Sequence, residues 1–494
     1  HRAHINEASN EHKSDSQPSI KMSATSLILM SLVSLVSCGA LSKTSPLANV
    51  RPLRSRNFFG KRSLNTKPRV VYSPPPTTTQ REVRDEVDTR KETPQRYIGD
   101  EAWLNNFDVE AFRKDIRSLG KKLEEQQGPE DMQHLNKIIG WSNACGIAGL
   151  ATMGLAPNPF SILMLSLWTY SRWTMIAHHT CHGGYTKLDD SGRFNRGKFA
   201  IGSLQRRVFD WFDWMLPEAW NLEHNNLHHY NLGEKTDPDL VERNLEHIRQ
   251  NNWPKAFKYL YVFGAVLGWK WTYYAPNTYK ELKLHELRKQ GKEIPEDLAN
   301  KPFMLSTALK DPYPSFVSGK EVIQNVIGPY FLIRFLLLPA PLAIFGAPIY
   351  LHGVINLFLA DLLSNVHAFI TIVPNHTGKD MYKFSSSTPP NSGEFYLRQI
   401  LSSANFNLGN DRVDFLHGWL NYQVEHHLWP NLSMLSYQKS QKEVEEICKK
   451  HNVPYIKENV FERTRKTIDI MVGNTNMRPF PESWSKANSK VNNS

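Results

Sequence analysis

Residues 160–182 read FSILMLSLWTYSRWTMIAHHTCH. An apolar run from Phe160 to Ala177 leads without a break into three histidines. At about 18 residues it is near the minimum for a membrane-spanning helix. His178 and His182 stand four apart, so on a continued helix they share a face and can point at one ion. Upstream, residues 139–156 are almost free of charge, and the Pro157-Asn158-Pro159 connection makes the two runs a transmembrane hairpin. Trp168, Tyr170 and Trp173 give the second run an aromatic end suited to the interface. A third apolar region, Phe331 to Phe345, continues past Pro348 into Tyr350–Ile372 and leaves room for a second hairpin. Ala256–Ala275 carries Lys258 and Lys270 with crowded aromatics, and reads as a helix lying in the interface.

Two more histidine clusters follow. His224-Asn225-Asn226-Leu227-His228-His229 repeats the four-residue spacing and adds an adjacent His; Gln423-Val424-Glu425-His426-His427 closes the set. The three clusters hold eight of the chain's 19 histidines. Adjacent side chains on a helix diverge by roughly 100°, so each His-His pair can serve two centres. Imidazole suits Zn, Cu, Fe and Ni, and a zinc site needs three or four protein ligands. Twice that number points to a dinuclear centre, and the clusters lack the Glu-x-x-His pairs of soluble di-iron bundles. Clusters on one membrane face require an even number of crossings between residues 230 and 417, which gives four spans in all.

HHTCH, HNNLHH and QVEHH resemble the three histidine boxes of the membrane fatty acid desaturases, and the Gln-x-x-His-His form resembles the front-end acyl and sphingolipid members. Asp237-Pro238-Asp239 and Leu428-Trp429-Pro430 agree with that likeness. It implies an all-α fold: an integral membrane helical domain of about four transmembrane helices in two hairpins, capped by a cytosolic or stromal helical di-iron domain. It implies two iron ions held by His178, His182, His224, His228, His229, His426 and His427, with His376 of Asn375-His376-Thr377-Gly378 as a further ligand. His179 matches a position that often does not ligate. Gln423 stands where other subgroups carry His and is expected to hydrogen-bond a ligand. Asp361, Asn365 and His367 interrupt an apolar run and are expected to line an acyl tunnel or back the ligands; His417 reads as structural.

The implied reaction inserts a cis double bond into an acyl lipid or acyl-CoA chain with O2 and two electrons. Unactivated C–H bonds offer no acidic proton, so a metal oxidant is required and the protein supplies position and exclusion of water. The chain has no His-Pro-Gly-Gly haem motif, so electrons are expected from an external carrier, ferredoxin or cytochrome b5. A lipid hydroxylase or sphingolipid desaturase on the same scaffold, and a non-catalytic membrane metal-binding or transport protein, are the competing readings.

The remaining sequence sets the frame. The chain has 494 residues, a net charge of +11 and four cysteines without a CxxC pair, which excludes a disulfide scaffold and a zinc ribbon. Residues 1–95 read as a targeting peptide and disordered basic linker: Met22 is a candidate start, Leu27–Val36 has the size of a signal h-region, and residues 41–70 are basic without an acid. That order favours a plastid membrane, with the endoplasmic reticulum as the alternative. Residues 96–137 are expected to form a surface helix region, 138–460 the membrane desaturase domain and 461–494 a polar tail. Lys187, Arg193, Arg196, Lys198, Arg206 and Arg207 form a basic stretch suited to lipid headgroups or an acidic carrier. No nucleic-acid partner is expected.

Overall fold

A computed structural model describes residues 96–491. The leader and linker expected over residues 1–95 lie outside the described residues.

The amphipathic segment after Asp108 forms a helix, Val109–Gln126, because Phe112, Ile116, Leu119 and Leu123 fall on one buried face. Asp108 caps it by accepting from the backbone N–H groups of Glu110 and Ala111. The first apolar run is the second half of a longer helix, Pro129–Thr152, whose opening turns carry Glu130, Asp131, His134 and Lys137. It returns through Pro157-Asn158-Pro159 into Pro159–Ser171. A Cβ added at Gly146 would stand 2.8 Å from the Trp168 ring, and one at Gly149 2.7 Å from Leu165. The two helices approach this closely only because these positions are glycine. Hydroxyl pairs, Ser171 donating to Ser142 at 2.8 Å and Ser161 to Thr152 at 2.8 Å, close hydrogen bonds across the seam.

Among the described residues, two helical stretches are long and apolar enough to cross a membrane, Gly319–Phe345 and Ala347–His376. They overlap the expected second hairpin, the first beginning at Gly319 and not at Phe331. The first hairpin is not among them: its first helix spends its opening turns on charged and polar residues, and its second carries Arg172 together with several Ser, Thr, Trp and Tyr. Asn356, in the second of the long helices, donates to the carbonyls of Met153 and Leu155 at 2.9 and 3.1 Å, so a polar group in an apolar helix ties the two hairpins together. Helix Lys255–Trp269 packs against Ala347–Ile372, with Asn365 donating to the Leu267 carbonyl and Trp269 Nε1 donating to the carbonyl of Asn365. Phe160, Leu163, Phe257, Leu260, Phe263, Leu337, Ile344, Leu351 and Phe358 all stand exposed around these helices.

The cap is helical but not purely so. Parallel ladders of two and three residues, Tyr382–Lys383 with Arg478–Pro479 and Ala404–Phe406 with Ile456–Glu458, pin the chain after the long helices to its C-terminal part. Such short strands show no alternation that a sequence can reveal. The stretch after residue 460, expected as a polar tail, folds back as helices Val460–Met471 and Glu482–Val491. Ile470, Met471, Met477, Phe480 and Trp484 are buried there, and this widely spaced apolar set overrides the polar composition.

Candidate metal centre

The first two histidine boxes sit at the end of, or inside, a helix whose register has been shifted. Helix Pro159–Ser171 runs through a π-helical turn, Arg172–Ala177, into His178–His182, and stops at Gly183 with φ +100°. Gly184 lies against the Leu432 carbonyl, which a Cβ would meet at 2.5 Å, and this contact seats the first box on the segment that follows the third. The second box is itself a π turn, Glu223–His228, fed by helix Pro217–Leu222. The third is the short helix Gln423–Leu428.

The ring nitrogens converge. One ligand atom each from His178, His182, His224, His229 and His426 lies within 4.8 Å of the others, His228, His376 and His427 form a second set under the same limit, and His224 and His228 meet Asp239 within it as well. All eight expected ligands fall in one group or the other. His178 Nε2 is 3.1 Å from His426 Nε2 and 3.0 Å from His224 Nε2, and His229 Nε2 is 3.3 Å from His224 Nε2.

The outer nitrogens fix which inner ones carry lone pairs. His178 Nδ1 donates to the Thr174 carbonyl at 3.2 Å and His427 Nδ1 to Gln399 Oε1 at 3.1 Å. His376 Nδ1 donates to the Ser402 carbonyl at 2.8 Å, and His228 Nδ1 to the Asp237 carboxylate at 2.9 Å. His426 Nδ1 faces the Tyr437 hydroxyl, whose own proton goes to the carbonyls of Trp429 and Pro430. So His178 and His426 turn two lone pairs at each other across 3.1 Å. The inner nitrogens of His182 and His427 are buried without any partner. Burial first, and neighbouring imidazoles second, hold the pKa of His178, His182, His224, His229, His426 and His427 well below the ordinary value, so all are neutral. Facing lone pairs on neutral rings repel unless a cation lies between them, and an all-imidazole set fits a transition metal. His228 differs: burial pushes its pKa down, but Asp237 and then Asp239 outweigh it and the net shift is upward.

An apolar chamber of about 170 Å³ opens from this centre. His178, His224, His228 and His376 stand in its wall, together with Trp269, Val266 and Phe369. A family model for fatty acid desaturases matches residues 154–459, which contain every one of these imidazoles. The chain belongs to the fatty acid desaturase family. It is 22% identical over 363 residues to an NADPH-dependent stearoyl-CoA 9-desaturase of Mycobacterium tuberculosis, covering 72% of this chain and 77% of the relative. Over shorter stretches it is similar to a Delta(8)-fatty-acid desaturase of Euglena gracilis, 34% identical across 23% of this chain and 26% of that one. It is also similar to Delta(5) fatty acid desaturase A of Dictyostelium discoideum, 22% identical across 51% and 52%. No solved structure matches it significantly.

The other singled-out residues of this desaturase belong to neither set, although His179 and Gln423 touch members of them. His179 donates from Nδ1 to the Met175 carbonyl at 2.7 Å and packs beside His426 and Tyr437. The Gln423 amide donates to His376 Nε2 at 2.9 Å, so it touches a member of the second group directly. Asp361 is held by Arg334 at 3.0 Å, Trp214 Nε1 at 3.1 Å and the Tyr330 hydroxyl, and it does not line the chamber. His367 stacks on Tyr170 with ring centroids 3.9 Å apart and contacts the Leu416 carbonyl, while His417 donates to Val413. In the basic stretch, Lys187 pairs with Glu124, Arg193 with Asp210, and Arg207 is buried among the carbonyls of Trp214, Asn325 and Val326.

Sequence reasoning missed four contributors. Gln399 and Ser402 hold His427 and His376 from helix Gly393–Leu401 and the residue after it, and nothing in their local sequence marks them. Asp237 and Asp239 approach His228 from the Asp-Pro-Asp run, whose position after the second box was a visible signal.

Proposed function

We propose that this chain is a membrane-bound di-iron acyl-lipid desaturase that inserts a cis double bond into a fatty acyl chain, using O2 and two electrons from an external carrier. The observation that carries the reading is the convergence of eight imidazoles, seven of them buried, in sets of five and three, with His178, His224, His228 and His376 at the wall of an apolar chamber. His178, His182, His224, His229 and His426 would hold one iron, and His228, His376 and His427 the other. When bound, the iron pair supplies the oxidising power that removes hydrogen from unactivated methylenes.

The protein's own residues do the rest. Asp237, Gln399 and the Thr174 carbonyl each accept a hydrogen bond from an Nδ1, which leaves the inner nitrogens of His228, His427 and His178 with lone pairs to ligate; the Ser402 carbonyl does the same for His376, whose Nε2 accepts from the Gln423 amide and would exchange that bond for iron. Trp220 stacks on His224 with centroids 4.4 Å apart and fixes the ring plane. Val266, Trp269 and Phe369 offer an acyl chain an apolar wall and exclude water from the imidazoles. A methylene chain has no polar handle, so the chamber's depth would set which carbons reach the centre.

Four crossings are supported by the two long apolar helices and by the first hairpin, whose Phe160 and Leu163 are exposed. Ferredoxin in a plastid membrane is the favoured carrier; cytochrome b5 would serve in the endoplasmic reticulum. The test is expression of the full chain in yeast, with lipid profiling and iron analysis of the purified protein. A new unsaturated acyl species and about two irons per chain are expected. A hydroxylated product would replace desaturation with hydroxylation, and far less than one iron per chain would refute the metal assignment. Release by carbonate washing would refute the membrane placement.

A further inference from the structure

The first-box helix separates two cavities. Trp173, Thr174 and His178 face the chamber beside the imidazoles, whereas Trp168, Arg172 and Ile176, at four-residue intervals, line a second cavity of about 270 Å³ on the other side. No histidine lines this second cavity. Its walls come from the first hairpin and from the Gly319–Phe345 stretch, through Ile139, Ile333, Leu337 and Leu338. Leu337 is 56% exposed, which places the opening on the apolar belt.

The cavity has a charged end. Arg172 donates to the carbonyls of Val208 and Phe209, its Nε is buried without a partner, and no carboxylate lies within ion-pair distance among the described residues. Its guanidinium sits 5.5 Å from the Trp168 ring centre and 5.9 Å from that of Phe212, contacts that hold a cation without neutralising it. Arg193 lines the same end and is paired with Asp210 at 3.1 Å. Two guanidinium groups against one carboxylate leave one positive charge in excess at the head of an apolar slot.

We propose that this cavity binds one anionic phospholipid, with its phosphate on Arg172 and Arg193 and an acyl chain along Ile333, Leu337 and Leu338. The volume is too small for a whole lipid. It suits the glycerophosphate end and the start of one chain, the remainder lying along exposed Leu336 and Leu337. A free phosphate would gain nothing from the apolar wall, and a zwitterionic headgroup would bring its own cation to Arg172. The inference rests on the membrane placement proposed above, and it assigns the lipid a seat behind the turn that aims His178, apart from the acyl chamber.

The test is native mass spectrometry of the full-length, iron-loaded protein titrated with phosphatidylglycerol or phosphatidylcholine. One tightly held phosphatidylglycerol is expected, with occupancy at least about ten times that of phosphatidylcholine. Arg172→Gln combined with Arg193→Gln lowers it about tenfold or more, and Arg172→Lys restores part of it. Leu337→Trp, which leaves the charges in place, lowers it by blocking the slot. Iron content and melting temperature of Arg193→Gln and Leu337→Trp serve as fold controls. Equal retention of the two lipids, variants that keep the adduct, or displacement of the lipid by millimolar inorganic phosphate would overturn the assignment. Lipid occupancy is read without turnover, so a failed desaturase assay leaves this result standing, and failed membrane retention shows separately in the carbonate wash.

Discussion

Replacing Asp237 with Asn tests whether the two imidazole groups are separate sites. The carboxylate accepts the His228 Nδ1 proton at 2.9 Å, the backbone N–H of Gly233 at 3.0 Å and that of Asp239 at 2.9 Å. Both Asp237 and His228 side chains are 2% exposed, so water cannot substitute. An amide offers one oxygen where the carboxylate offered two, and its NH2 must face a donor: either His228 or Gly233 loses its acceptor. Removing such an outer partner of a metal-bound imidazole typically lowers affinity about 10–100-fold, or about 1.4–2.7 kcal/mol. His228 belongs with His376 and His427, so the loss should fall on that group and spare the other five imidazoles. Asp237→Asn protein, challenged with a graded iron chelator, should drop from about two irons per chain to about one before the second leaves, with helical content unchanged. Loss of both irons together would refute two separable sites, and retention of both in a folded variant would refute the role given to Asp237.

Three further outcomes follow from the same structure. Gly184→Ala would press a methyl group to within 2.5 Å of the Leu432 carbonyl and 3.1 Å of the His179 carbonyl; an overpacking cost of about 1–3 kcal/mol should appear as a lower melting temperature of the metal-free protein. Acid should destabilise the metal-free form: burial puts His179 at about 4, below the ordinary 6.5, so under pH 6.5 the unfolded chain binds more protons than the folded one. This residue alone should cost about 1 kcal/mol between pH 6.5 and 5.5, read by chemical denaturation, and a stability independent of pH there would contradict the neutral assignment. Asp361→Ala leaves Arg334 buried without its carboxylate, for an expected loss of about 3–5 kcal/mol in stability, measured as thermal inactivation in detergent.

The imidazoles that converge were legible because most of them are clustered in the sequence, and because the desaturase resemblance singled out His376 through its Asn-His-Thr-Gly stretch. What holds the ligands was not. Gln399 reaches His427 from a helix 28 positions away, and Ser402 serves His376 through a backbone carbonyl that any residue could supply. Asp361, Asn365 and His367 show the opposite failure. Their cost in an apolar helix was read correctly as demanding partners, but the partners are Arg334, Leu267 and Leu416, which tie helices together instead of facing the chamber. Composition likewise marked residues 187–207 as a basic face, whereas Arg207 spends its donors on buried carbonyls. A sequence shows which groups need satisfying; only the fold shows by whom.

Register explains the sharpest difference between spacing and geometry. Four-residue spacing in an α-helix puts two side chains on one face, and His178 and His182, in an ordinary helical turn, do join one group. His224 and His228 repeat the spacing and still meet, stacked with centroids 5.2 Å apart and both close to Asp239, but His224 also groups with His182 and His229, and His228 with His376 and His427. The second box is a π turn in which the His229 N–H bonds the His224 carbonyl five residues back, at 3.2 Å. That bond places positions i and i+5 one above the other, and so pairs His224 with His229 and turns His228 toward the third box. Upstream of the first box, the His178 N–H reaches the Trp173 carbonyl in the same way, and the extra residue rotates everything after it by roughly 100°. Turns of this kind occupy well under 1% of residues in globular proteins and are kept mostly where function needs them. Here one of them leads into the first box and another forms the second, setting His224 beside His229 while His228 also reaches His376 and His427.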